Sequence, residues 1–118
     1  IHAEGYPAGE MKHGPLALIE KGLPVVCIVP SGSLFHKSIS NIQEVISRGG
    51  KILMITDDTA LQADSDNIWE IFRLPKVNPI IETLVYSIPI QMLAYYTAVE
   101  LGNDVDQPRN LAKSVTVE

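Results

Sequence analysis

The chain has 118 residues, 46% of them apolar and 19% charged, with a formal net charge of −5 at neutral pH. That length suits one domain, and that apolar share supplies a packed core and excludes a disordered chain. The acidic balance, with no basic stripe, excludes a nucleic-acid backbone as main partner, and no apolar run of about 18 residues or signal peptide suggests a membrane or exported protein.

A single cysteine, Cys27, excludes a disulfide framework and fits a reducing cytoplasm. Ile1 is not a methionine, and no cap or turn precedes it. The expectation is a segment of a larger protein.

Residues 1–15 carry Gly5, Pro7, Gly9, Gly14 and Pro15, a density of breakers that predicts a structured loop. Pro15 then suits the first position of a short helix over 16–19. Residues 24–29 form a continuous apolar run with β-branched residues, bounded by Gly and Pro. That pattern predicts a strand buried on both faces of a parallel sheet. Ser33 is the expected N-cap of a helix reaching about Arg48, with Leu34, Ile39, Ile42, Val45 and Ile46 near one face. Gly49 and Gly50 end it.

Residues 52–55 predict a second buried strand, with the polar residues 56–59 at its C-terminal end. Residues 68–74 predict a third, nearer an edge because Glu70 and Arg73 interrupt it. Asn78 and Pro79 read as cap and first position of a long helix to about Leu101. Its interior is apolar nearly all round, which predicts burial or a subunit interface. Pro89 should kink or break it, and Gly102 closes it. The order of strands and helices is that of an α/β, doubly wound parallel sheet covered by helices. Ligands of such sheets bind beyond the C-terminal strand ends, here residues 30–33 and 56–59. Neither loop is a dinucleotide fingerprint or a P-loop.

Residues 104–118 mix acids, two cations, a proline and a few apolar residues, without a helix or strand period. A terminus of that kind suggests a docking segment rather than a linker. Lys113 lies within it. A lysine near a chain end is ordinarily a solvated charge; a functional one needs desolvation or a carbonyl partner. His13 lies between Lys12 and a Gly-Pro turn, and an imidazole there is suited to proton transfer near neutrality, with Glu10 three residues back to orient it. A loop histidine bonded to a backbone carbonyl is the commoner outcome for such a residue. His2 and His36 read as ordinary surface residues, and Trp69 reads as packing. Cys27, mid-strand, reads as an inert core thiol. Asp57 and Asp58 read as a turn in preference to a ligand pair, and no spacing suggests a metal.

Three separated stretches, residues 2–19, residues 40–45 with 48–50, and residues 104–118, resemble, in order, the glutamine–fructose-6-phosphate aminotransferase (glucosamine-6-phosphate synthase) family. The resemblance covers essentially the whole chain and falls in the last part of the isomerase half, which is built from sugar-isomerase (SIS) domains. It implies a SIS-type, flavodoxin-like sheet, truncated at its N-terminal side. Residues 1–102 would be the C-terminal SIS domain without its first strand and helix, and residues 103–118 an active-site tail.

The same resemblance implies synthesis of glucosamine 6-phosphate from fructose 6-phosphate and glutamine-derived ammonia, in the cytoplasm and without cofactor or metal. His13 matches the histidine that assists ring opening and reaches the neighbouring subunit's site, which implies a homodimer. Lys113 matches the tail lysine required for isomerisation, and Ala112 a residue whose backbone touches the sugar. The tail would be a lid. The base that moves the C1–C2 proton and the phosphate-binding loop would lie in upstream segments, next to a glutaminase domain. The fragment alone is therefore expected to be inactive, and its bare apolar edges to drive dimerisation or aggregation. The rival reading is a non-catalytic SIS module that senses a sugar phosphate; a plain aldose–ketose isomerase is a third.

Overall fold

A computed structural model describes residues 1–62 and 66–107, which fall into two compact units, residues 1–77 and the segment from Asn78 onward. In the first unit β1 (Pro24–Ile28), β2 (Lys51–Thr56) and β3 (Ile68–Arg73) form a parallel sheet in the order β1-β2-β3. The α/β class and the edge position of β3 agree with the sequence.

Paired residues of neighbouring parallel strands point to the same face. Val25, Ile52 and Ile68 make one cross-sheet row, and Cys27, Met54 and Ile71 the next. Against this face pack Ile39, Ile42, Val45 and Ile46 of α1 (Phe35–Ser47), together with Met11, Leu16 and Ile19. Val29, Ile52 and Met54 are each exposed by 1% or less, and burial at that level stabilises by about 1.5–3 kcal/mol per side chain.

The expectation that β1 is buried on both faces is corrected. Its residues alternate between exposed and half-buried, and Val26 and Ile28 remain 40% and 48% exposed. As an edge strand in this unit, β1 meets α1 on one face only. Ile55, in register between Ile28 and Phe72 on that other face, is buried, while Leu53, on the same face between Val26 and Glu70, is half-buried.

Trp69 does not pack as expected. The register slips between Ile52 and Leu53, which pair with Ile68 and Glu70, so Trp69 is the extra residue of a bulge and is 57% exposed.

Two details of α1 follow from its ends. Ser33 is not its cap: Leu34 occupies that position without a side-chain bond, because the Gly32 carbonyl already accepts the Phe35 N–H and winds the turn directly into the helix. At the other end the Gly49 N–H donates to Ile46 O and the Gly50 N–H to Val45 O, the paired bonds of a Schellman motif. Gly49 supplies the required positive φ of 84°. A Cβ on Gly50 would lie 2.7 Å from Val45 Cγ1, so helix and strand meet there at a distance only glycine permits.

The breaker-rich N-terminal stretch is more regular than predicted. Residues Ala8–His13 and Pro15–Leu18 form two 3-10 turns separated by Gly14 at φ 148°.

In the second unit α2 spans Pro79–Glu100. The Asn78 side chain accepts the Ile80 N–H at 3.0 Å, and Gly102 closes the helix at φ 70° with the same paired bonds as in α1. Pro89 does not break the helix. It lies mid-helix, where its ring withholds one N–H from the backbone ladder. Nor is α2 mostly buried: only Tyr86 is, while Ile80 and Leu84 are 88% and 68% exposed and Ile88, Met92, Tyr95 and Tyr96 are also open. Among the described residues no helix is long and apolar enough to cross a membrane.

Candidate functional site

His13 ends the first 3-10 turn, and its Nδ1 lies 2.9 Å from Glu10 Oε2. An ionised carboxylate only accepts, so this contact is a hydrogen bond when Nδ1 carries the hydrogen. In the neutral ring the lone pair then sits on Nε2. Both side chains are largely open, 72% for His13 and 61% for Glu10.

The turn that carries them is anchored from its other side. Lys12 Nζ meets Glu44 Oε1 of α1 at 2.5 Å, and Met11 packs on the core. The ion pair is half-exposed and contributes only about 0–1 kcal/mol to stability; its consequence is positional. Upstream, the Glu4 carboxylate accepts from His2 Nε2 at 3.0 Å and from the Tyr6 hydroxyl. The Tyr6 bond, followed by the His2 bond, holds the Glu4 carboxyl below its ordinary range, and the same contact pushes the Tyr6 hydroxyl up. His36 is an exposed residue of α1 and stacks edge-on against Phe35.

The loops at the C-terminal strand ends bond to one another. Asp57 Oδ1 accepts the Ser31 N–H at 2.6 Å, and Oδ2 accepts the Ser31 hydroxyl at 2.8 Å. Thr56, fully buried, donates its hydroxyl to Val29 O at 2.6 Å. Asp58 Oδ1 accepts from the Ala60 and Leu61 N–H groups, and Arg73 ties the Asp58 and Leu61 carbonyls together. The turn reading of these two acids holds for Asp58. Asp57 does something the sequence did not signal: it locks β1 to β2 through Ser31, 26 residues away.

Burial pushes the Cys27 thiol up to about 11, so it stays protonated at neutral pH and is no nucleophile. An open depression of about 700 Å³ lies at the opposite, N-terminal ends of the strands and is lined by Lys21, Arg48, Lys51 and Asn67. It flanks the C-terminus of α1, where cations complement the helix dipole. No cluster of three potential metal ligands occurs among the described residues.

Of the three residues singled out by the resemblance, only His13 lies among the described residues, with the Glu10 carboxylate 2.9 Å from its Nδ1. Lys113 and Ala112 lie outside the described residues. Within the tail only its beginning is described, where Asp104 Oδ1 accepts the N–H groups of Asp106 and Gln107.

The SIS domain model matches residues 1–101. A glutamine–fructose-6-phosphate aminotransferase [isomerizing] of Zymomonas mobilis subsp. mobilis is 58% identical over all 118 residues, which span 19% of that protein. One of Sphingobium yanoikuyae is also 58% identical over the whole chain, which spans 76% of it. Among solved structures, the C-terminal domain of glucosamine-fructose-6-phosphate aminotransferase from Francisella tularensis superposes with a TM-score of 0.82 at 44% identity, over 91% of this chain and 30% of that one. The chain belongs to the SIS domain family and, within it, to the glutamine–fructose-6-phosphate aminotransferases.

Proposed function

We propose that the chain is the C-terminal part of the isomerase half of an enzyme that forms glucosamine 6-phosphate from fructose 6-phosphate and glutamine-derived ammonia. The observation that carries this reading is 58% identity over all 118 residues, tail included, to proteins named glutamine–fructose-6-phosphate aminotransferase [isomerizing]. A stand-alone sugar sensor has no use for both His13 and a Lys113 tail.

In this reading the Nε2 lone pair of His13 takes the anomeric hydroxyl proton of the sugar as the ring opens, and the imidazolium returns a proton to the ring oxygen. Ammonia then condenses at C2 with loss of water, and a proton moves from C1 to C2 to give the amino sugar. Lys113 acts on the open-chain carbonyl, the Ala112 backbone contacts the sugar, and residues 103–118 close over it. Each positioned acid–base group contributes about 10²–10⁴-fold. The base for the C1–C2 transfer, the phosphate loop and the glutaminase come from upstream segments. His13 serves the neighbouring subunit's site, so the working unit is a homodimer, and its place is the cytoplasm.

Lys113→Ala in the full-length protein tests the assignment. Loss of glucosamine 6-phosphate synthesis with glutaminase activity retained is the expected result. Unchanged synthesis refutes the role of Lys113. A reading frame with no glutaminase domain ahead of Ile1 refutes the proposed activity.

A further inference from the structure

We propose that Glu10 is a positioning residue that holds His13 in the Nδ1–H tautomer and thereby puts the reactive lone pair on Nε2. The inference rests on the assignment of His13 above, and it deepens that assignment by naming the group that sets its chemistry.

Four features of the N-terminal segment combine. First, residues Ala8–His13 form a 3-10 turn rather than an α-helical one. With three residues per turn, side chains at i and i+3 eclipse, so Glu10 and His13 project from the same side. Second, the contact is short, 2.9 Å from Nδ1 to Oε2, and a carboxylate accepts only. A histidine whose one ring nitrogen donates to a carboxylate keeps its hydrogen there, and the other nitrogen becomes the proton acceptor.

Third, the rest of the segment is engaged elsewhere. Lys12 reaches Glu44 on α1 at 2.5 Å, and Met11 packs against the core, so the Glu10–His13 pair is the outward-facing part of an anchored turn. Fourth, Gly14 follows at φ 148°, a backbone conformation side-chain-bearing residues rarely adopt. The turn stops at His13, leaving the ring at its rim.

An exposed pair of this kind adds little to stability. Its removal should leave the fold intact and change only the ring. That separates a positioning role from a structural one.

The tautomer is read directly in this chain with ¹⁵N-histidine labelling and long-range ¹H–¹⁵N correlations, about two pH units above the ordinary imidazole value of about 6.5. The expected result is Nδ1–H for His13 in the unaltered chain and Nε2–H, the form a free imidazole favours in water, in Glu10→Ala. Nε2–H in the unaltered chain, or the same tautomer in both, overturns the proposal.

In the full-length protein, Glu10→Ala should lower kcat about tenfold with KM little changed, a part of the 10²–10⁴-fold that a proton-transfer group contributes. Glu10→Gln, which keeps an acceptor oxygen, should recover most of the rate. Glu10→Ala should add no further loss on a His13→Asn background. If His13→Asn abolishes synthesis and Glu10→Ala runs at full rate, the positioning role is wrong. If His13→Asn itself runs at full rate, the functional assignment of His13 fails, and the tautomer measurement still decides whether Glu10 sets the ring.

Discussion

The carboxylate of Asp57, just past the end of β2, takes both donors of Ser31, in the loop that follows β1: the N–H at 2.6 Å and the hydroxyl at 2.8 Å. Asp57 is buried, so losing it would leave two donors of Ser31 without their acceptor in a place where water reaches poorly. Asp57→Ala should therefore destabilise the chain by about 2–4 kcal/mol, the range for charge-assisted bonds lost together with an uncompensated donor. Asp57→Asn, which keeps one acceptor oxygen, should cost less. Urea unfolding midpoints of the three proteins, at equal m-value, check the order.

Cys27 gives a pH dependence whose sign is determined. Burial raises its thiol from the ordinary 9.0 to about 11. Between those values the unfolded chain has lost the proton and the folded chain has kept it. The stabilising contribution is complete below about 9 and declines as pH rises toward about 11. Cys27→Ser, with a hydroxyl that does not ionise there, should flatten that part of the stability curve. At pH 8, near neutral for this group, thiol reagents should label the folded chain far more slowly than the urea-unfolded one.

The exposed apolar surface of α2 predicts self-association. Ile80, Leu84, Ile88 and Met92 are all open to solvent, and large exposed apolar patches mark interfaces or aggregation sites. Sedimentation of the chain should show dimers or larger species. Leu84→Lys combined with Ile88→Lys should shift the distribution toward monomer while the far-ultraviolet circular dichroism stays the same. A monomeric unaltered chain would contradict the prediction.

The 118-residue chain on its own should not convert fructose 6-phosphate, even with ammonia supplied. In the proposed reading the proton-transfer base and the phosphate loop are supplied by other segments, and without them the chain lacks both substrate binding and the central chemical step. Turnover above that of the Lys113→Ala chain, followed by amino-sugar detection, would falsify this.

Much of the local structure was legible because its signals are local. Asn78 and Pro79 cap α2 as their residue types demand, and Gly49 and Gly50 end α1 through a left-handed residue and a close approach. Glu70 and Arg73 marked β3 as an edge strand, which the sheet order bears out. The errors also have physical causes. An aromatic in a strand usually packs, but a bulge excludes Trp69 from the register. The apolar residues of β1 and α2 implied burial on all sides, because composition reports what a surface requires and not whether this chain supplies the cover.

By itself, then, the sequence determined the strands, the two long helices, both ends of α2, the glycine end of α1 and the family, since each depends on residue type at short spacing or on motifs in a fixed order. Only the tertiary structure decided which face of β1 stays open, that Lys12 of the His13-bearing turn is tied to Glu44, and that Asp57 closes on Ser31. Those are pairings of groups tens of residues apart. A polar side chain's role is set by the donors and acceptors that folding brings within about 3 Å of it, and no local pattern encodes that distance.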